Sequence, residues 1–562
     1  METVIGKSHN SFLSRAAVGQ NVLVIVPHED DEINVAGSIM YDYVQKGATV
    51  TCVFTTNGDY SFAAATRMAE AEHSLHTLGV QQIFFLGYGD TSNHYKGGHL
   101  FYAKQEPVTS PSGHKETYGA WHFEDYALQA RGRHSPYCRA AMCEDLESLL
   151  LELAAPLIFC VDLDVHADHR AASLIFEEAL GNILRRPGNT YQPIIVFKGF
   201  AYCTSFGAPK DFYARNIRSV PLPAQTEDSL IGFSLYTWQT RVRFPVLPAC
   251  RGHFLRDNLL YRALFAHASQ SAALHAVRIA NGDAVFWQRR TDNLVYQAEI
   301  TSSSGDPQHI ADFAVVNLTD IDAKKLSFAQ YLWLPVAGDR QRELCFSWPD
   351  EQEIAWLELG GNVESSGRIQ ELTLSFPDGT VYVLGPLPEK GHLLRFKLPA
   401  VKRTSSVCLR LDDVMGTGYG LSFVGFFSQE HQMGVVPSYI KLLVGDDFAY
   451  DYLLPTAASE CQLSVYRYGA SGSIRLQVKD ASEGWVDQNG LAHFAPQAET
   501  LHVRAELEQQ PSRYDEICLH RLSGLLLQKL SCQQYLEDKL LTFFLKKHRK
   551  YTHIRHKYLK KL

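Results

Sequence analysis

The sequence predicts an α/β Rossmann-like parallel-sheet domain, then two all-β sandwich-like domains and a C-terminal basic helix. Three observations carry this. Apolar β-branched runs alternate with helix-period segments over 20–205. Short alternating strands separated by Gly, Asp and Pro turns fill about 310–510. From Arg521 onward, Lys and Arg alternate with apolar residues at helical spacing. The chain has 562 residues, several times a typical domain, and the boundaries are drawn at 1–300, 301–432, 433–518 and 519–562.

In the first domain the strands are NVLVIV (21–26), TVTCVFTT (49–56), QIFFLG (82–87), PLIFCV (156–161) and QPIIVFKGF (192–200). Helical patterns lie between them at about 33–46, 63–79, 137–153 and 168–185. Near-continuous apolar strands indicate a parallel sheet covered on both faces, whose ligand sites sit at the carboxyl ends of the strands. Segment 88–136 is long and rich in Gly, His, Tyr and Ser, and reads as a lid over such a site.

Hydrophobic residues are 46% and charged residues 20%, which excludes a disordered chain, a collagen-like fibre and a coiled-coil rod. No apolar run is long enough to span a membrane, and the N-terminus shows no secretory h-region. The net charge of −8 is uneven: residues 521–562 carry eleven Lys/Arg against Glu537 and Asp538, a net +9, which leaves −17 for the rest. An acidic body argues against nucleic acid as a partner. There are eleven Cys without a CxxC, several inside strand-like runs such as those of Cys52, Cys160 and Cys408. They read as buried thiols of a reducing compartment, hence a cytoplasmic protein.

The chemistry lies in two clusters. Pro27-His28-Glu29-Asp30-Asp31-Glu32 follows the first strand, and Asp164-Val165-His166-Ala167-Asp168-His169 follows the fourth. Each leaves a strand of the same sheet at its carboxyl edge, so imidazoles and carboxylates converge on one crevice. These donors suit Zn²⁺ and similar divalent ions, and three protein ligands with an open position activate water. A lone HxxH or DDE is common, and acids in a first helical turn often serve as caps. Two such clusters at matching strand ends are not explained that way. No glycine-rich phosphate loop follows the first strand, which sets aside a nucleotide-binding reading.

PHEDDE and HADH resemble the paired AHPDDE and HPDH motifs of the PIG-L/LmbE-like N-acetylglucosaminyl de-N-acetylases. TTNGD (55–59), the helix carrying Arg67 and Glu70, FLGYGD ending at Asp90, and His267-Ala268-Ser269-Gln270 extend the resemblance over about 18–292. The resemblance implies that His28, Asp31 and His169 bind the metal, normally zinc (Zn²⁺, or another divalent ion). It implies that Asp30 is the general base for metal-activated water. It makes His166 a catalytic group that steadies the oxyanion or, protonated, serves the leaving amine, with Asp168 orienting His166 or a ligand. Arg67, Asp90 and His267 match substrate contacts. The expected substrate is an N-acetylated amino sugar or glycoconjugate, the expected reaction hydrolysis of its N-acetyl amide. Two other functions stay open: hydrolysis of another N-acyl or amide conjugate, and a sugar-binding scaffold with an inactive deacetylase domain.

The family prolines are replaced by Glu29 and Ala167, and Glu29 reads as a solvated helix-start carboxylate. His94, His99, His114 and His122 in the lid read as solvated or backbone-bonded. Residues of about 310–430, from WPDEQEIAWLELGG to GTGYGLSFVGFF, resemble discoidin-like, galactose-binding-like sandwiches. There Trp348, Trp356 and Tyr419 are candidates for sugar stacking that individually read as core. In the tail, Leu541, Phe544, Leu545, Tyr551, Ile554, Tyr558 and Leu562 form an apolar stripe between basic faces. That pattern suits either a helix docked on its own protein with a solvated basic face or an anionic membrane surface, the second of which would place this cytoplasmic protein peripherally at the inner membrane face.

Overall fold

A computed structural model describes residues 20–91, 105–163, 166–189, 191, 195–201, 206–207, 220–221, 238–252, 254–275, 282–313, 332–362, 367–432, 434–436 and 438–559. His94, His99, Asp164 and the side chains of Tyr551, Ile554, Tyr558 and Leu562 lie outside the described residues.

Strands β1 (Asn21–Val26), β2 (Thr49–Thr56), β3 (Gln82–Tyr88), β4 (Leu157–Val161) and β5 (Ile195–Gly199) form a parallel sheet in the order β3-β2-β1-β4-β5. Helices α1 (Asp31–Gln45), α2 (Ala64–Leu78), α4 (Arg139–Leu153) and α5 (Ala167–Leu184) connect them, with the short α3 (Tyr126–Arg131) inside the segment after β3 and α6 (Leu259–Ala266) further along the chain. Strand order reverses between β1 and β4. The loops leaving these two strands therefore part and open a crevice at their carboxyl ends.

A two-stranded pair, β6 (Phe206–Gly207) and β7 (Val220–Pro221), precedes two strands that no sequence pattern predicted. These are β8 (Val242–Pro245) and β9 (Asp283–Arg289), which extend the sheet antiparallel past β5.

The next domain is one antiparallel sheet of β10 (Glu299–Ser302), β11 (Glu343–Gly360), β12 (Gly367–Ser375), β13 (Val381–Leu384), β14 (Leu393–Gly416) and β15 (Phe423–Phe427). The long β11 and β14 shift register twice. Such bulges bend a sheet, here around its own core of Trp333, Phe346, Leu357 and Leu409. Trp348 is buried and donates to the Leu294 carbonyl at 2.8 Å, so it is a core residue. Cys345 and Cys408 face each other across β11 and β14 and form a disulfide. This corrects the reading of Cys408 as a free thiol: the antiparallel register places the two sulfurs together, which spacing in the sequence does not reveal. The cysteine content then no longer argues for a reducing compartment.

The third domain packs two sheets around Ile440, Leu463, Leu501 and Leu519. One holds β16 (Tyr439–Val444), β17 (Asp447–Phe448), β19 (Glu460–Tyr468), β21 (Gly484–Val486) and β22 (Leu491–Phe494). The other holds β18 (Asp451–Pro455), β20 (Ile474–Val478), β23 (Thr500–Leu507) and β24 (Gln510–Leu522). Tyr439 and Tyr468 belong to the core of the first domain, stacking near Phe197 and Phe244. Buried Arg243 of β8 binds Asp283 at 2.7 Å and Asp446 at 3.1 Å, tying the domains together.

The tail is one helix, α7 (Gly524–Leu559). Leu541 and Leu545 pack on the first domain's core, and buried Asp538 accepts from the Leu255 N–H at 3.4 Å. Leu536, Leu540, Phe543 and Phe544 are exposed on its other side. Among the described residues, no helix is long and apolar enough to cross a membrane.

Candidate active site

The turn after β1 is fixed by β2. Thr56 donates to the Pro27 carbonyl from both its N–H, at 3.0 Å, and its hydroxyl, at 2.8 Å. His28 is thereby fixed at the sheet edge, and Asp31 opens α1 by accepting from the His28 N–H at 3.1 Å. Asp30, between the sheet and the helix, has φ 128°, a conformation that favours glycine. A side chain held in such a backbone marks stored strain, kept only where its surroundings enforce it.

Three donor atoms meet here. Asp31 Oδ2 lies 3.0 Å from His28 Nδ1 and 3.1 Å from His169 Nε2, and these nitrogens are 3.3 Å apart. A divalent ion bound at about 2.0–2.2 Å by imidazole and carboxylate spaces its ligands by about this much. The second oxygen of Asp31 is buried without a partner. His28 turns its other nitrogen to Asp168 Oδ2 at 3.2 Å, the carboxylate–histidine pairing that orients metal-binding imidazoles. The donor set thus fits a metal ion.

Asp168 is itself locked by Thr91, through its N–H at 2.9 Å and its hydroxyl. Asp168 therefore orients His28, while its backbone N–H donates to His166 Nδ1 at 3.2 Å. That bond leaves the proton of a neutral His166 on Nε2. Burial, together with His28 and His169, holds His166 down at about 3. A neutral His166 held this way offers its Nε2–H as a hydrogen-bond donor. Asp90, from the end of β3, lies 3.5 Å from His28 Nε2, and its N–H donates to Asp59 at 2.8 Å.

Burial alone would lower His28, but Asp90, Asp168 and Asp31 together raise it well above its ordinary value. Burial would raise Asp31, yet His169 and His28 hold it far below the usual carboxylate range. Asp30 is pushed up to about 6 by burial and by Asp31, with Arg67 opposing.

Two further expectations change. Glu29 is not solvated: it is fully buried, with Oε2 3.2 Å from Arg67 Nε and its carbonyl accepting from Arg67 Nη2. Its carboxyl is raised to about 7, by burial first, against the pull of Arg67. Gly58 makes room for this pair, since a Cβ there would stand 2.1 Å from Glu29 Oε2. Arg67 in turn is 3.7 Å from Asp30 Oδ1. His267 is not a pocket wall. It is fully buried with Nε2 2.7 Å from Glu32 Oε1, and Glu32 Oε2 accepts from the Asp30 N–H at 2.7 Å. His267 thus steadies the strained turn through Glu32.

Sequence reasoning missed Thr91, Asp59, Glu29 and Glu32. Only the hydroxyl directly after Asp90, and the acids inside the TTNGD and PHEDDE runs, could have signalled them. Residues 105–136 of the expected lid lie along β3: Asn57 donates to the Tyr118 carbonyl at 2.9 Å and the Tyr118 N–H to Gly87 at 3.2 Å. His114 stacks on Tyr118 and exposed His122 binds Glu72 at 3.1 Å. The stretch 92–104 lies outside the described residues.

Residues 23–180 match the PIG-L family, described as GlcNAc-PI de-N-acetylase, so this stretch is a PIG-L domain. No curated protein matches the chain. Among solved structures, N,N'-diacetylchitobiose deacetylase from Pyrococcus horikoshii is similar at 20% identity and TM-score 0.22, over 33% of this chain and 61% of that one. The chain thus spans less than two thirds of that relative. A deacetylase triple mutant of the teicoplanin biosynthetic pathway is similar at 16% identity and TM-score 0.28, over 48% of this chain and 97% of that one. The family 32 carbohydrate-binding module of C. perfringens NanJ, in complex with galactose, is similar at 10% identity and TM-score 0.18, over 23% and 92%.

Proposed function

We propose that this chain is a zinc-dependent hydrolase that removes the N-acetyl group of an N-acetylated amino sugar or glycoconjugate. The observation that carries the reading is the triangle of His28 Nδ1, Asp31 Oδ2 and His169 Nε2 at the switch point of the sheet, with Asp30 beside it. The PIG-L match over residues 23–180 supports the same reaction class.

When bound by His28, Asp31 and His169, a divalent ion would polarise the amide carbonyl and make water a stronger nucleophile near neutral pH. The chain's own groups do the rest. Asp30 accepts the proton of the attacking water, and a carboxyl raised to about 6 holds a proton more readily than an ordinary one. Neutral His166 donates from Nε2 to the oxygen that becomes negative as water adds to the acetyl carbon. Asp30 then returns its proton to the amine as the C–N bond breaks, giving acetate and the free amino sugar. Arg67, clamped by Glu29, holds Asp30 in place, and Asp168 keeps His28 in register.

A peripheral position on an anionic membrane belongs to the same proposal. It rests on exposed Leu536, Leu540, Phe543 and Phe544 beside Lys539, Lys546 and Lys547 on α7.

The test measures bound zinc and amine release from N-acetylglucosamine conjugates for the wild type, Asp30→Asn and His169→Ala. Turnover in the wild type, undiminished zinc without turnover in Asp30→Asn, and loss of one zinc per chain, that of the crevice, in His169→Ala are expected. Zinc bound to a wild type that turns over no acylated amino sugar would overturn the reading. Turnover restricted to other N-acyl amides would move the substrate and leave the chemistry.

A further inference from the structure

A second group of metal-ligating side chains lies in the third domain, outside the crevice and unused by its chemistry. Strand β18 runs parallel to β24 and sets Asp451 opposite Cys518 and Leu453 opposite His520. Residues two apart on a strand share a face, so Cys518 and His520 lie side by side, opposite the core-facing Ile517 and Leu519. Cys518 Sγ is 3.9 Å from His520 Nδ1, and Asp451 Oδ1 is 3.5 Å from His520 Nε2. One ligand atom of each residue lies within 4.8 Å of the others.

Burial makes this more than a surface coincidence. His520 is 7% exposed and Cys518 8%. Yet His520 Nε2 and Asp451 Oδ2 are both buried without a hydrogen-bond partner. Native proteins rarely leave two such atoms side by side unless something else satisfies them. His502, opposite Cys518 on β23, is already bound to Glu483 at 2.8 Å and leaves the group to three ligands.

We propose that Asp451, Cys518 and His520 form a zinc site of this domain. A thiolate, an imidazole and a carboxylate together suit zinc, whereas magnesium and calcium take oxygen ligands. Binding exchanges the Cys518 thiol proton, released to solvent, for a zinc–sulfur bond. The ion would cross-link β18 to β24, the strand that ends at Leu522 and leads into α7 at Gly524.

Cobalt separates this site from the crevice, because His28, Asp31 and His169 include no thiolate. Full-length protein stripped of metal and titrated with Co²⁺ is expected to develop a thiolate-to-cobalt charge-transfer band in the near ultraviolet. The band is lost in Cys518→Ser and in His520→Ala. It persists in His169→Ala and in Cys532→Ser, which removes an exposed cysteine. Elemental analysis should find one zinc fewer per chain in Cys518→Ser than in the wild type. If Cys518→Ser does not fold by circular dichroism, the wild-type band and its loss in Asp451→Asn decide. A wild type without the band, or a band that survives in Cys518→Ser, overturns the site.

Discussion

Two buried arginines behave in opposite ways. Arg243, 2% exposed at the junction of the first and third domains, has every side-chain nitrogen engaged. Its Nε donates to Asp283 at 2.7 Å, Nη1 to Asp446 Oδ1 at 3.1 Å and Nη2 to the Asp446 carbonyl at 2.7 Å. Arg67, 3% exposed in the crevice, sits among groups that are left open. Glu29 Oε1 and Asp31 Oδ1 have no partner, and Asp30 is strained. Arg243 is electrostatically closed because it only has to hold the junction. The crevice keeps unmatched charge where, on the proposed function, a metal and a reacting water are received, and on that reading the contrast separates an architectural ion pair from a functional one.

The sharpest way to break the comparison is Asp30→Asn. If the open crevice is the reacting site, turnover should fall by about 10²–10⁴-fold with zinc content unchanged, as for loss of a general base. Single-turnover amine release beside metal analysis checks it, and an equal loss of zinc would reassign Asp30 as a ligand. At the closed junction, Arg243→Met should instead cost about 3–5 kcal/mol of stability, because it strands the carboxylate of buried Asp283. Urea unfolding measures this, and a loss under 1 kcal/mol would show that the junction does not depend on the pair.

The same contrast explains what could be read in advance. The strands ending at Val26 and Val161 and the acids and imidazoles that follow them are local patterns, so the crevice was visible in the sequence. The burial of Glu29 was not, because it depends on Arg67 of α2 and on the space left by Gly58. The contact of His267 with Glu32 was not legible either, since the two lie 235 residues apart. Strands β8 and β9 escaped notice because they join the sheet late and antiparallel, supported by Tyr439 and Tyr468 of another domain. The Cys345–Cys408 disulfide likewise rests on register, which only the folded sheet sets.

A smaller effect tests whether Arg67 works on Asp30 or merely fills space. Glu29→Gln keeps the volume and removes the charge that clamps Arg67. It should lower kcat by about tenfold, roughly 1.4 kcal/mol of barrier, with KM and zinc content unchanged. A rise in KM with constant kcat would instead make Arg67 a substrate contact, as the family resemblance implies.

The smallest effects belong to α7, where the contrast between closed and open recurs on one helix. Leu545 packs on the first domain, whereas Phe544 is 65% exposed. Leu545→Ala should destabilise by about 1–2 kcal/mol, less than a fully buried leucine would, and Phe544→Ala by under about 0.5 kcal/mol. Asp538, beneath the helix, is raised to about 6, chiefly by burial. It therefore binds more protons folded than unfolded, and stability falls as pH rises from about 4 through 6. Asp538→Asn can still accept from the Leu255 N–H and should flatten that slope in thermal melts at a series of pH values. A wild-type melting temperature that rises across the same window would mean that Asp538 ionises freely, and that this end of α7 is not held against the domain.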